Sequence, residues 1–418
     1  MAKKLSSVLG IDIGSRKIKV AEVKAHGRDA VVTALAMVDT PEGAVDQTGV
    51  FNPDAVAAAI KQAIGESGAS SSAAVVSIAG SASVLVRTLE VPRMNSGELK
   101  EHMQWEINRN IPFAESTVVS DFKPLGDEDP NSANMDVVLA ISPQSAIDTV
   151  MDCVKKAGKA THAIDVEPLG LARTLTTSYD DVFHDKTVCV VEVGHKTTSI
   201  NIYKNGKLLM PRQVPVGGEN FTRAIADGLD VSMMEAEEKK IADADVASMA
   251  AAASGFSNPF APIGEPGATQ EFVPYNPFAD EPIAAPEPGA VAPLEPEPAE
   301  PAPMMDATPV TAIGSPETQR VNKALANELD EFVAEIRRSI DYFRNRGGDV
   351  NQIVVAGGGS QLRGLSEFLG NALGIPCDAL DPLRRLNVNA KRADMAFVDS
   401  HRTEFTVAVG NGLHILFD

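Results

Sequence analysis

The chain is short of cysteine, of basic charge and of long apolar runs. Cysteine occurs three times in 418 residues. Cys153, Cys189 and Cys377 are far apart and lack metal-ligand spacing, which excludes a disulfide framework and fits a reducing compartment. All three are expected to be small core residues. The 37 Lys and Arg against 57 Asp and Glu leave a formal net charge of -20, so non-specific binding to nucleic acid or anionic lipid is not expected. No window approaches the ~18 uncharged apolar residues that a membrane span needs, and MAKKLSSVLG lacks the apolar stretch of a signal peptide. The carboxy-terminal AVGNGLHILFD carries no separate basic amphipathic helix. A cytoplasmic protein is therefore expected, with no direct membrane insertion and any membrane association supplied by a partner. Two glycine fingerprints are also missing. Neither G-x-G-x-x-G nor G-x-x-x-x-G-K-[ST] occurs, which removes a Rossmann dinucleotide site and a P-loop.

The length suffices for two or more domains with real cores. Composition breaks sharply over about 243–316, which holds 15 of the 27 prolines, 11 acids and no Lys or Arg. Such a tract cannot bury enough apolar surface to offset its chain entropy, so disorder is expected there. Within it SNPFAP and YNPFAD nearly repeat one another, either by low-complexity duplication or as paired docking motifs.

Outside the tract, strands and helices alternate. AVVTALAMVDT, AAVVSIAG, SVLVRTLEVP and DVVLAIS predict strands. PDAVAAAIKQAIGESG, closed by Gly68, NSGELKEHMQWEINRNIPF, capped by Asn95 or Ser96, and QSAIDTVMDCVKKAG predict helices. HAIDVEPLGLARTL turns from strand to helix. Val321, Leu325, Leu329, Phe332, Ile336, Ile340 and Phe343 recur at helical spacing and predict one long helix with an apolar face, stopping at Gly347. The pattern is that of an α/β protein.

Three glycine turns follow short apolar strands: DIGSRKIK at Asp12 to Lys19, EVGHKTTS at Glu192 to Ser199, and AGGGSQL at Ala356 to Leu362. Taken singly, the first is consistent with a plain β-hairpin. Taken together, glycine at each turn lets backbone amides approach an anionic or planar ligand, so two facing hairpins could hold phosphates and the third turn a nucleoside.

Two acid-glycine hairpins in separate halves, a Glu-Pro link segment and a late Gly-Gly-Gly turn resemble the actin and sugar-kinase superfamily. Within it, VRTLEVPRMNSGELKEHMQWEINRNIPF, AIDVEPLGLARTL, VGGENF, EAEEKK and EFVAEIRRSIDYFR are similar to the PilM family of actin-like proteins of type IV pilus assembly. The resemblance covers the chain apart from the proline tract. It implies a two-lobed actin-like ATPase fold of duplicated RNase H-like domains. The first lobe would span 1–180, with an inserted partner-binding subdomain at about 53–142, and the second 181–418, interrupted by the disordered Pro/Ala/acidic insertion at 243–316.

The resemblance also implies ATP and Mg2+ as cofactors. Asp12 and Glu192 would organise the metal, and Glu167 a metal-bound water. Gly14, Ser15, Arg16 and Lys19 would meet the phosphates from one side, and Gly194, His195, Lys196 and Thr197 from the other. Glu237 and Lys240 would hold the ribose, Gly357, Gly358, Gly359 and Leu362 would line the adenine pocket, and Gly218 would also meet the cofactor. It implies as partner the cytoplasmic tail of a PilN-like bitopic inner-membrane protein, with Trp105, Ile107, Ile111, Pro112 and Phe113 lining its groove, and contact with pilus motor ATPases or self-association besides. The second hairpin departs from the family pattern: Glu192 stands where the family has Asp. One extra methylene would orient an attacking water poorly, so nucleotide binding is expected more than turnover. An FtsA-type division scaffold, a small-molecule kinase with Asp165 as base, and a nucleotide-independent scaffold are the alternatives.

Overall fold

The computed structural model describes residues 5–247, 249 and 314–417, except 28, 79, 81, 114–116 and 126–131. The two Asn-Pro-Phe repeats and most of the proline tract lie outside the described residues. At the tract's edges, Ala244 and Val246 are buried in a hydrophobic core and the Val246 amide donates to the Arg363 carbonyl. Residues 243–247 therefore do not fit the expectation of disorder from residue 243, because these two side chains find apolar partners.

Strands β1 (Ser7–Ile13), β2 (Lys17–His26) and β3 (Asp29–Asp39) form an antiparallel meander in which Asp12 pairs with Lys19 across the first hairpin. The short strands β4 (Val45–Asp46) and β5 (Gly49–Val50) form a small hairpin after it. Helix α1 (Pro53–Ser67) begins where the Asn52 side chain accepts from the Ala55 amide and ends at Gly68, whose φ of 70° closes it in the left-handed region. Strand β6 (Ala73–Ser77) is buried along its whole length and lies parallel to β1, as a central strand covered on both faces must.

A separate three-stranded sheet comes next, built from β7 (Leu85–Pro92), β8 (Val118–Pro124) and β9 (Asn134–Pro143) in the order β7-β9-β8. Helix α2 (Ser96–Asn110) is opened by an Asn95–Glu98 capping box and contributes Leu99 and Met103 to this sheet's own core. The inserted subdomain thus begins near Leu85. The expected start at residue 53 is too early, since α1 and β6 pack into the core of the first sheet. Helix α3 (Gln144–Lys156), strand β10 (Ala160–Asp165) and helix α4 (Glu167–Phe183) complete the half.

The second half repeats the plan. Strands β11 (Thr187–Val193), β12 (Thr198–Lys204) and β13 (Lys207–Val214) form a meander, with Glu192 opposite Ser199. Helices α5 (Gly218–Leu229), α6 (Met233–Ala242) and α7 (Pro316–Arg344) pack on it. The long helix buries Val321, Leu325, Leu329, Phe332, Ile336 and Ile340 on one face, as their spacing predicts. Strand β14 (Gln352–Ala356) lies parallel to β11, followed by helix α8 (Leu365–Leu373) and β15 (Cys377–Ala379). The order β13-β12-β11-β14-β15 mirrors β3-β2-β1-β6-β10 strand for strand.

The chain then returns to the first lobe. Strand β16 (Asn387–Val388) adds to β3; helix α9 (Met395–Ser400) follows, and helix α10 (Thr406–Gly412) lies against β1 and α4. This corrects the expectation that 181–418 forms the second lobe throughout. Small residues allow the approach: a Cβ on Gly10 would fall 2.0 Å from the Ala408 carbonyl oxygen, and one on Gly410 2.1 Å from that of Gly170. At the centre, the fully buried Asn411 donates to the Ile11 carbonyl at 2.9 Å and sits 2.8 Å from the Ser77 hydroxyl. Asn411→Ala should cost about 1–3 kcal/mol by leaving those two groups unpaired, with the urea midpoint as the measurement; a change below roughly 0.5 kcal/mol would show that the network carries no weight.

Candidate functional site

The two hairpin turns are copies of each other. In the first, the Gly14 amide donates to the Lys17 carbonyl at 3.1 Å; in the second, Gly194 donates to Thr197 at 2.9 Å. A Cβ at either glycine would meet that same carbonyl oxygen at 2.8 Å, so both positions require glycine. Each turn ends a strand beginning its lobe, and duplicated topology brings the two ends face to face. Between them opens a cavity of about 560 Å³.

Every residue expected to meet nucleotide or metal lines this cavity except Gly357, which lies behind it. With a φ of 83°, Gly357 turns the chain so closely over β11 that a Cβ would sit 2.5 Å from the Val193 carbonyl oxygen and 2.7 Å from Glu192 Oε1. Gly358 and Gly359 follow on the cavity wall, and the buried Leu362 lines it beside them. Across from them, Glu237 Oε2 accepts from the Thr222 hydroxyl at 2.5 Å and from Lys240 Nζ at 2.7 Å. Burial would raise the Glu237 carboxyl, but Lys240 and Thr222 outweigh it and hold it below its ordinary range. Lys240 also bonds the Gly218 carbonyl at the start of α5.

The floor is charged and closely packed. Lys19 Nζ lies 2.9 Å from Asp12 Oδ2, both largely buried. Burial alone would lower the Lys19 ammonium, yet Asp12, Glu404 and Glu192 together raise it well above its usual value. Glu167 opens α4, followed by Pro168 at a position where a missing N–H costs nothing. Burial pushes its carboxyl up to about 7 against a hydrogen bond from Ser199, with the Asp12 charge adding to the rise. Burial and then the neighbouring Glu167 charge push Glu192 well above the carboxylate range, Lys19 offsetting them in part. Glu167 Oε1 is buried without a hydrogen-bond partner among the described residues.

These features suit a nucleotide: glycine walls that a side chain would fill, an orphaned buried carboxylate oxygen and cations on both turns. Among the described residues no group of three His, Cys, Asp or Glu is arranged to hold a metal. A divalent cation would therefore be carried by phosphate oxygens and water, with Asp12 and Glu192 beneath.

Some cavity residues lie outside the sequence expectation. Asp46 and Gln47 come from the β4–β5 hairpin, and Phe397, His401 and Glu404 from the returning carboxy-terminal chain. Glu404 Oε2 would stand 3.1 Å from a Cβ on Gly358. No local pattern marks these residues, because only the chain's return brings them here. Asp165, the candidate kinase base, does not line the cavity; it is buried and paired with Arg173 at 2.5 Å.

The partner-peptide set divides. Ile107, Ile111 and Phe113 pack partly buried on the small subdomain's core, Pro112 is exposed, and Trp105 is 57% exposed with Arg109 5.3 Å over its ring. Phe113 also lines a second cavity of about 340 Å³, together with Val50, Ile78, Ala82, Pro143 and Val150. Trp105 does not line it.

Two lobes of one topology, joined over a cleft with an acid-glycine hairpin on either side, define the actin-like fold of duplicated RNase H-like domains. The family model of type IV pilus assembly protein PilM matches residues 10–248, more than half of the chain; the chain belongs to that family. The model of cell division protein FtsA matches residues 189–410, in keeping with a shared actin-like second lobe. A solved structure described as a PilM-PilN type IV pilus biogenesis complex superposes with a TM-score of 0.73 at 24% identity, covering 99% of both chains. The ethanolamine utilization protein EutJ of Carboxydothermus hydrogenoformans shares the fold at a TM-score of 0.50 and 13% identity, over 98% of this chain and 91% of its own. The cell division protein FtsA of Neisseria meningitidis is 25% identical over 55% of this chain and 60% of its own, so the chain spans about 60% of that curated relative.

Because the native state holds the Glu167 proton more tightly than an unfolded chain would, the stability this contributes is full below the ordinary carboxylate pKa. It is lost as pH rises through about 7. Glu167→Gln should match the wild type at pH 5 and exceed it by roughly 1–3 kcal/mol at pH 8, read from urea midpoints. An equal effect at both values would refute the buried-acid reading.

Proposed function

We propose that this protein is an ATP-binding assembly factor of the type IV pilus platform, held at the cytoplasmic face of the inner membrane by the tail of a PilN-like one-span protein. The observation that carries the reading is the pair of matched glycine turns closing on one cavity with Asp12, Lys19, Glu167 and Glu192 at its floor. Phosphates would lie between the turns, where backbone amides and Lys19, Arg16 and Lys196 supply positive charge. The ribose would meet Glu237 and Lys240, and the base would sit against Gly358, Gly359 and Leu362.

Binding is favoured over turnover. Burial and the neighbouring Glu167 charge raise the proton affinity of Glu192, and its extra methylene displaces the carboxylate, so it would orient an attacking water poorly and any hydrolysis would be slow. The extended tail of the partner would occupy the second cavity, whose apolar wall of Val50, Ile78, Ala82 and Val150 suits alternating apolar side chains. The two cavities share a wall. Ile78 faces both, residues 45–47 line the first and 48–50 the second. A change in lobe closure would thereby reach the tail, and through it the motor ATPases.

Isothermal titration is the test. Wild-type protein should bind ATP with Mg2+, and Lys240→Ala should weaken it about tenfold by removing a charge-assisted bond. A peptide copying the partner's cytoplasmic tail should lose at least tenfold in affinity on Phe113→Ala with ATP binding retained, and nothing on Trp105→Ala. Tail binding that depends on Trp105 and not on Phe113 would move the groove to the outer face of α2.

A further inference from the structure

The two turns touch at their tips. Since Gly14 corresponds to Gly194, Ser15 corresponds to His195 and Arg16 to Lys196. Ser15 Oγ lies 3.3 Å from His195 Nδ1, a bond between lobes through the space that phosphates would take. Charges cross at the same level: Arg16 of the first lobe acts on Glu237 and Lys240 of the second, and Lys196 of the second acts on Asp46 of the first. The His195 carbonyl accepts from the Glu219 amide at 2.8 Å, and a Cβ on Gly217 would fall 2.5 Å from that oxygen. The backbone of His195 is thus fixed on the start of α5 while its ring faces the cleft.

Resting on the nucleotide reading, we propose that His195 senses the terminal phosphate: in the empty cleft its neutral ring latches the lobes through Ser15, and a triphosphate displaces Ser15 and binds the ring as imidazolium. The proton comes from solvent, so one proton enters with the nucleotide and no covalent bond changes. Burial lowers the proton affinity of the ring in the empty cleft. Glu219 and Glu237 raise it, and Arg16 and Lys196 lower it further. An arriving phosphate adds several negative charges at hydrogen-bonding distance, which reverses that balance. A diphosphate does not reach as far between the turns and gains less.

Titration calorimetry at pH 7.5, in two buffers of different ionisation enthalpy, counts the protons. Wild-type protein should take up close to one more proton with ATP than His195→Gln does, and should favour ATP over ADP about tenfold more strongly, as loss of one charge-assisted bond requires. His195→Asn, which keeps a polar atom near Nδ1 and cannot titrate, should match His195→Gln in proton count. In the nucleotide-free protein, the His195 ring resonance, assigned by its loss in His195→Gln, should titrate below an exposed histidine. Thermal unfolding of both variants separates a folding defect from a binding one. Equal proton uptake by wild type and both variants, or equal losses for ATP and ADP, would overturn the proposal while leaving nucleotide binding intact. Failure of the wild type to bind ATP at all would overturn both.

Discussion

Lys19 is the charge on which the cleft depends. Four carboxylates, Asp12, Glu167, Glu192 and Glu404, converge near it, and burying that much like charge is tolerable only when it is shared among counterions and protons. Lys19 supplies one positive charge, and the raised proton affinity of Glu167 and Glu192 lessens the remaining negative charge.

The geometry that holds Lys19 in place comes from far along the chain. Its strand, β2, is covered by residues 405–416, and Phe405, Ala408, Val409 and Leu413 join Val8, Ala21 and Val23 in one core. Immediately before that core, Thr403 accepts the Gly357 amide at 3.0 Å through its carbonyl, and its hydroxyl accepts from Gln361 at 2.9 Å. One short turn thus has its apolar residue in the first lobe and its polar groups on the Gly-Gly-Gly turn of the second. Glu404, facing Gly358, lies beside this crossing between the lobes.

What was legible in the sequence follows from the range of the forces involved. The hairpins could be read because an acid and a glycine between apolar strands leave few local conformations, and the long helix because its apolar stripe is set by its own period. Strand β8 was not legible: its residues are mostly exposed or half-buried, so hydrophobic alternation never marked it. The return of 387–416 to the first sheet depends on pairing with residues more than 350 positions away, which no local window contains. The same reason hid Phe397, His401 and Glu404. Trp105, the one tryptophan, is a candidate to line the partner groove; in the structure it is more than half exposed on α2, with Arg109 over its ring and His102 beside it.

The wall between the two cavities is the remaining structural link, and hydrogen bonds tie its parts together. The Ala82 amide donates to the Gln47 carbonyl at 3.0 Å, the Ser83 hydroxyl to the Thr48 carbonyl at 2.6 Å, and Ser142 to the Ser83 carbonyl at 2.7 Å. Gly80 packs so closely that a Cβ would meet the Gly49 amide nitrogen at 2.7 Å. Ala82 and Ser83 are thus tied to the β4–β5 hairpin, and the Ile78 amide is held on the Asp165 carbonyl. The Asp46 end of this wall feels Lys196 across the cleft, while its Val50 and Ala82 end bounds the apolar groove beside Phe113.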